Sequence, residues 1–396
     1  MKNGKVDFNA TTLCYYSGTW WFVHNGKVDF SSRTLVKYNG TWWFVENGKV
    51  NWNAATVVKY GNTWYYVNGG KVHWNDSGLC YYSGNWWYID KGKINFSART
   101  LVKYNGTWWF VENGKVNKNN TTVVKYGNTW YYVSGGNVHW NDSGLCYYNG
   151  NWWYIDKGRI NFSATTVVEY NGVWCYVHGG KVDFNSRTLC KYSGTWWFIE
   201  DGQINWIDRT LVKYGSTWYY VSMGKVNWGY NGECLYGDKF YTIKGGVVQF
   251  GAKPTITESQ KNAQAQTFAK YIASNVTGKN DLEKVRQAAK IVAYYCNNSV
   301  YTNDDKDYRT PYGVLCKGVY TCSGATRTLG LVLECMGYKW EHVNENKWSH
   351  QWCKVYMDGK VGWADGMGGI ADYGAQPPYA NGGSYTNDEG VTFFVP

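Results

Sequence analysis

The run Thr34-Leu-Val-Lys-Tyr-Asn-Gly-Thr-Trp-Trp-Phe-Val45, continued by Glu46-Asn-Gly-Lys-Val-Asn-Trp52, holds two β-rich segments around Asn39-Gly40. A two-residue loop containing Gly between β-branched and aromatic runs predicts a tight hairpin. The loop also sets the register, with Tyr38 opposite Thr41, Lys37 opposite Trp42 and Val36 opposite Trp43. Because strand side chains alternate, Val36, Tyr38, Trp43 and Val45 then share one face. Leu35, Lys37, Trp42 and Phe44 share the other. Both faces are largely apolar, so the hairpin must be covered on both sides, and only stacked neighbours can do that.

The neighbours are in the sequence. Trp recurs at 20, 42, 64, 86, 108, 130, 152, 174, 196 and 218, a spacing of 22. The segment Asn75-Asp-Ser-Gly-Leu-Cys80 returns as Asn141-Asp-Ser-Gly-Leu-Cys146, a longer period of 66. Such self-similarity is the signature of a repeat architecture. The expected fold is an all-β hairpin solenoid over residues 1–250, followed by a linker helix over 251–279 and an α+β domain over 280–396.

Composition agrees with that division. Of 25 Trp, 21 precede residue 251, and Pro first occurs at Pro254. Residues 1–250 carry 25 Lys+Arg against 15 Asp+Glu, net +10; residues 251–396 carry 15 against 14, net +1. The aromatic content, 19% of the chain, excludes disorder. No stretch approaches the roughly 18 apolar residues of a membrane span. Lysines spread one or two per repeat argue against nucleic acid, while the net charge favours an anionic partner. Cys14, Cys80, Cys146, Cys190 and Cys234 fall in a repeat column that elsewhere holds Val36, Val58 and Val102, so Cys stands there for a small buried apolar residue. No metal or cofactor motif is present.

These repeats resemble the choline- and glucan-binding cell-wall repeats of Gram-positive surface proteins, on the cluster Trp64-Tyr-Tyr66 followed by Gly70 at about 20-residue spacing. The resemblance implies three hairpins per solenoid turn, which the 66-residue period fits. It also implies a cell-wall polymer or anionic glycan as partner and an extracellular, wall-associated location. Family repeats carry a Gly-Trp pair entering each hairpin, where this chain has Thr-Leu-Val-Lys-Tyr, so choline remains one of several ligands. Most repeat aromatics are expected to pack; Trp20, Trp42, Trp64, Trp86, Trp108, Trp130, Trp152, Trp196 and Trp218 are the candidate binding column. Gly4 already stands in the repeat's Gly column, so the natural protein is expected to continue upstream, with its signal peptide there.

After Pro254 the hydrophobic period becomes helical. Thr257-x-x-Gln260 is a capping box opening a helix to about Ala273, and Asn280-x-x-Glu283 opens another. A third begins at Thr321-Cys322-Ser-Gly-Ala and ends before Gly337. Cys322 therefore sits at a helix N-terminus, where the macrodipole favours a thiolate. Downstream, Asp358-Gly359 signals a hairpin. Pairing Met357 with Lys360 puts Trp352 opposite Asp365, and His350 and Asp365 on one face within side-chain reach. Cys322, His350 and Asp365 thus form a nucleophile, base and orienter set. His342 is the alternative base, without a carboxylate placed for it. The Cys322 N–H is the expected oxyanion donor, with Tyr312 as the side-chain choice.

The segments Tyr312-Gly-Val-Leu-Cys-Lys-Gly-Val-Tyr-Thr-Cys322, His350-Gln-Trp and Trp363-Ala-Asp365 resemble the Cys, His and Asp segments of the transglutaminase-like superfamily, in the same order. The resemblance implies a papain-like α+β core. It also implies a cysteine peptidase, amidase or transglutaminase acting on a protein or peptide substrate. The rival expectation is an adhesin or structural rod with an inactive transglutaminase-like cap.

Overall fold

The computed structural model describes residues 7–253, 255–380, 383–386 and 392–395. Met1, Gly4 and Pro254, which mark the repeat start and the junction above, lie outside them. The chain divides into two compact units, Met1–Gly172 with Val177–Val182, and Val173–Tyr176 with Asp183–Pro396.

The first unit is built of 22-residue hairpins. Thr34–Tyr38 pairs antiparallel with Thr41–Glu46 in the register Val36↔Trp43, Lys37↔Trp42, Tyr38↔Thr41. Asn39 and Gly40 take φ of 49° and 79°, the left-handed pair that a type I′ turn needs. A third short strand, Lys49–Val50, pairs with its own hairpin at Val45↔Val50 and with the preceding one at Trp21↔Lys49. The same cross-repeat step recurs at Trp43↔Lys71, Tyr65↔Lys93 and Trp87↔Lys115. Gly70 shows why the step needs glycine: its φ is +75° and a Cβ there would lie 2.9 Å from the Asn51 carbonyl oxygen.

Each hairpin buries both faces, as its sequence requires. Val36 and Val45 pack with Leu13 and Phe22 of the repeat before. Leu35 and Phe44 pack with Val58 and Val67 of the repeat after. The core is therefore a chain of small clusters, each shared by two neighbours, as in other repeat proteins. Cys80 and Cys146 are buried in this scheme, but Cys14 is exposed, against expectation. Its column is covered by the preceding hairpin, and none precedes it among the described residues.

The second unit combines the hairpins within residues 188–244 with the α+β part. Helices α1 (Glu258–Asn275), α2 (Asp281–Asn297) and α3 (Cys322–Cys335) stand beside an antiparallel sheet. Its strands run in the order Trp340–Val343, Trp352–Met357, Lys360–Asp365, Ile370–Tyr373. The α1 capping box is formed, with Thr257 and Gln260 each capping the other's backbone. The stretch expected to be a linker helix carries core: Ala265, Phe268, Ala269 and Ile272 join one cluster with Val285, Leu329, Val355 and, from the repeats, Tyr220, Tyr230 and Cys234. Arg209, from the repeat array, donates to the carbonyls of Val314 (2.7 Å) and Asn298 (2.8 Å).

Candidate active site and repeat surface

Cys322 is the first residue of α3, with Thr321 as its N-cap. The Thr321 hydroxyl does not cap the helix and is unpartnered among the described residues. Leu329, Val332 and Leu333 bury α3 in the core, and its first turn is buried as well from Ser323 to Thr326, leaving Cys322 partly exposed at the helix start. The hairpin at Asp358-Gly359 forms in the expected register, Met357↔Lys360 and Cys353↔Ala364. That register brings His350 and Asp365 together: His350 Nε2 lies 2.7 Å from Asp365 Oδ2.

The Asp365 carboxylate is buried and saturated. Oδ2 also accepts from the Tyr379 hydroxyl at 2.7 Å, and Oδ1 accepts from the N–H of Met367 (2.8 Å) and Gly368 (3.2 Å). Burial works to raise its pKa, but the hydrogen bonds from His350, Tyr379 and Met367 win and hold it below the usual carboxylate value. His350 shows the complementary effect. Burial works to lower its pKa; hydrogen bonds to Asp365 and to the Cys322 side chain outweigh that and raise it to about 10. His350 Nε2 is thus held by Asp365, and the His350 ring lines one cleft together with Cys322, which brings the three residue types of the expected set to one place.

The set opens on a cleft of about 390 Å³ lined by, among others, Tyr301, Tyr308, Arg309, Lys347 and Trp348. Trp348 is fully exposed. Tyr301 and Cys322 line the cleft together; burial, then the Cys322 charge, push the Tyr301 pKa up. Tyr312, the expected side-chain oxyanion donor, is not in the cleft. It is buried against the repeats, bonded to the Tyr230 hydroxyl at 3.2 Å and to the Glu233 N–H at 3.3 Å. His342 bonds Gln351 at 2.7 Å, and burial lowers its pKa. Tyr379 and Tyr301 were not legible as site residues: neither lies in a motif, and each reaches the site from a separate segment. Among the described residues no cluster of His, Cys, Asp and Glu is arranged to hold a metal.

On the repeats, the expected Trp column is half-buried, each ring packed on a Tyr 18 positions on: Trp20 on Tyr38 at 5.1 Å, Trp42 on Tyr60 at 5.0 Å, Trp64 on Tyr82 at 5.4 Å between centroids. Trp86, Trp108, Trp130, Trp152, Trp196 and Trp218 repeat the pattern on Tyr104, Tyr126, Tyr148, Tyr170, Tyr214 and Tyr236. A different column is more exposed, including Trp52, Trp74, Trp140 and Phe96. It ends each repeat, where the alternation of the hairpin no longer predicts burial.

A family model for the choline-binding repeat matches ten segments, the first residues 9–29 and the last 210–227. Residues 9–227 are choline-binding repeats. No curated protein matches the chain. Among solved structures, alternansucrase in complex with isomaltotriose is 10% identical over 76% of this chain and 21% of its own length, TM-score 0.20. The modular endolysin Cpl-1 complexed with a peptidoglycan analogue is 20% identical over 40% of this chain and 39% of its own, TM-score 0.15. A truncated alternansucrase from Leuconostoc mesenteroides is 12% identical over 65% and 19%, TM-score 0.18. The chain thus spans well under half of each. Choline-binding repeats are typical of cell-surface proteins. Among the described residues no helix is long and apolar enough to cross a membrane. The choline-binding repeats also hold charged residues within their aromatic layer, the arginines Arg33 and Arg99.

Proposed function

We propose that this chain is a wall-associated cysteine enzyme of transglutaminase-like fold. Its choline-binding repeats retain it on a choline-bearing or acidic wall polymer, and its C-terminal part acts on amide bonds. The observation that carries the enzymatic reading is His350, hydrogen-bonded to Asp365 at 2.7 Å and lining one open cleft together with Cys322. In this reading the Cys322 sulfur attacks the amide carbonyl, and its backbone N–H stabilises the oxyanion. The His350 imidazolium gives its proton to the departing amine, leaving a thioester. Water or a second amine, deprotonated by His350, then attacks the thioester and releases Cys322. Water makes the protein a peptidase or amidase; an amine makes it a transglutaminase.

Mass spectrometry of a peptide amide incubated with the full chain, with and without added amine, tests this and identifies the acceptor. Hydrolysis or amine incorporation that vanishes in Cys322→Ser is expected. If Cys322 alkylates no faster than free cysteine, and His350→Ala leaves the rate unchanged, the C-terminal part is an inactive cap. For the repeats, retention on isolated walls and release by free choline are expected; retention indifferent to choline would point to the acidic-polymer alternative.

A further inference from the structure

One column of the repeat alternates between two kinds of residue. It holds Arg33, Arg99 and Arg187 in three repeats, but Ala55, Ser77 and Thr121 in others. Arg33 lies between two aromatic rings from different hairpins, its Cζ 5.0 Å from the Phe44 centroid and 5.2 Å from that of Tyr82. Arg99 repeats this at 5.3 Å from Phe110 and 5.1 Å from Tyr148. Arg187 lies 5.4 Å from Phe198. These are cation–π distances. Each guanidinium is also held from behind: Arg33 Nε donates to Glu46 Oε1 at 3.1 Å and Nη2 to the Val57 carbonyl at 3.0 Å. Arg99 does the same with Glu112 and Val123.

Three residues change together. Arg occurs with Phe eleven positions on and Glu thirteen on: Arg33, Phe44, Glu46; Arg99, Phe110, Glu112; Arg187, Phe198, Glu200. In four repeats where the first is short, the others are Tyr and a smaller polar residue: Ala55, Tyr66, Asn68; Ser77, Tyr88, Asp90; Thr121, Tyr132, Ser134; Ser143, Tyr154, Asp156. Thr165 goes with Tyr176 but His178, and Thr11 keeps Phe22, with His24. The hairpin registers are the same in both kinds of repeat, so Tyr66 and Tyr104 take the places of Phe44 and Tyr82. Burial raises the pKa of Tyr66, Tyr88 and Tyr132, and the facing phenols Tyr104, Tyr126 and Tyr170 each add to it. By the shared register the two rings stand at one place in these repeats also, where the first residue of the triplet is too short to reach between them. His73 packs on Tyr66 at 6.2 Å and His139 on Tyr132 at 6.1 Å between centroids. Arg209 breaks the triplet, with Tyr220 and Ser222, and its guanidinium is turned to Val314 and Asn298 instead.

We propose that Arg33 and Arg99 are resident cations that close two aromatic sites of the array. Alkylammonium ligands of the choline type then bind at the matching Tyr66/Tyr104, Tyr88/Tyr126 and Tyr132/Tyr170 sites. The inference rests on the reading of the repeats as choline receptors, and it sets how many of them are competent. Asp90, in the place of Glu46, makes Tyr88/Tyr126 the strongest of the three, because a carboxylate already stands where the resident guanidinium finds its own.

Equilibrium dialysis of choline against the full chain counts the sites. Arg33→Ala copies the residue that Ala55 supplies naturally, so the fold has a precedent for it. This variant is expected to bind one more choline than the unmodified chain, and Arg33→Ala with Arg99→Ala two more. The reverse variant, Ala55→Arg with Tyr66→Phe and Asn68→Glu, is expected to bind one fewer; it carries the test if Arg33→Ala loses its circular-dichroism signature. Choline binding with the same count in the unmodified chain and in both kinds of variant overturns the resident-cation idea alone. No choline binding by the unmodified chain or by Arg33→Ala overturns the receptor reading and this inference with it.

Discussion

His350 Nε2 is 2.7 Å from Asp365 Oδ2, across 15 residues of sequence, and the contact is buried on both sides. Asp365 receives two backbone N–H groups and the Tyr379 hydroxyl besides, so it is a fixed carboxylate that orients the ring. Asp365→Asn keeps the shape but removes the charge and favours the wrong tautomer. A loss of about 10²–10⁴ in kcat/KM on a peptide amide is expected, with little change in KM. A loss below about threefold would detach Asp365 from the chemistry.

The pH dependence follows from the same pair. The His350 pKa is raised from 6.5 to about 10, so its proton is retained through neutral pH. Charged His350 stabilises the fold fully below about 6.5, and that contribution is lost as pH rises towards 10. A reaction needing the imidazolium should keep its rate until pH approaches 10. In Asp365→Asn burial is less opposed, and the alkaline limb should move to lower pH. A pH–rate profile with an unmoved limb in the variant would assign it to another group.

Among the described residues, the cleft beside Cys322 is lined by the cations Arg309 and Lys347 and by no carboxylate. Neither cation is ion-paired among the described residues. An anionic alkylating agent should therefore be favoured. The ratio of iodoacetate to iodoacetamide labelling of Cys322, read by peptide mass spectrometry, should fall roughly three- to tenfold in Arg309→Gln/Lys347→Gln, the effect of about 1 kcal/mol of surface attraction. Added salt should shrink the difference. Equal ratios in both proteins would mean that the cations do not act at the sulfur.

Asp307 is buried between two ammonium groups, 2.6 Å from Lys261 Nζ and 3.4 Å from Lys317 Nζ. Lys317 also meets Glu233 and Asp305, both at 2.7 Å. The network ties α1, the turn before α3 and a repeat hairpin into the second unit. Asp307→Ala leaves the buried Lys261 ammonium with only the exposed Glu258 and takes one of three carboxylates from Lys317, at a cost of up to about 3 kcal/mol. Denaturant unfolding should show that loss in the phase reporting on the second unit. A cost under about 1 kcal/mol would mean that the remaining carboxylates suffice.

In the first unit, Phe110 is fully buried where two successive repeats meet, beside Leu101, Val124 and Val133. Phe110→Ala should cost about 3–5 kcal/mol. Because each cluster is shared by neighbours only, hydrogen exchange should rise locally, in residues 100–138, rather than throughout the unit. Uniform loss of protection would show that the repeats unfold as a single block.

The local and periodic features were legible in the chain alone. The Asn39-Gly40 loop set the register of every strand around it, because a two-residue turn leaves no freedom in pairing, and the 22-residue period extended that register along the array. Asp358-Gly359 did the same for His350 and Asp365, which is why a hydrogen bond across 15 residues could be foreseen. Helix caps at Thr257 and Asn280 are likewise local chemistry. Contacts joining distant segments carry no period and no turn to betray them, so only the tertiary structure decided these. Tyr379 and Tyr301 reach the site from separate loops; Tyr312 faces the repeats and not the cleft; α1 lies in the core and not in a linker. The triplet of Arg33, Phe44 and Glu46 stood in the sequence, but its meaning did not. Tyr82 comes 49 residues after Arg33, and the stacking of hairpins, rather than pairing within one, brings that ring to the guanidinium.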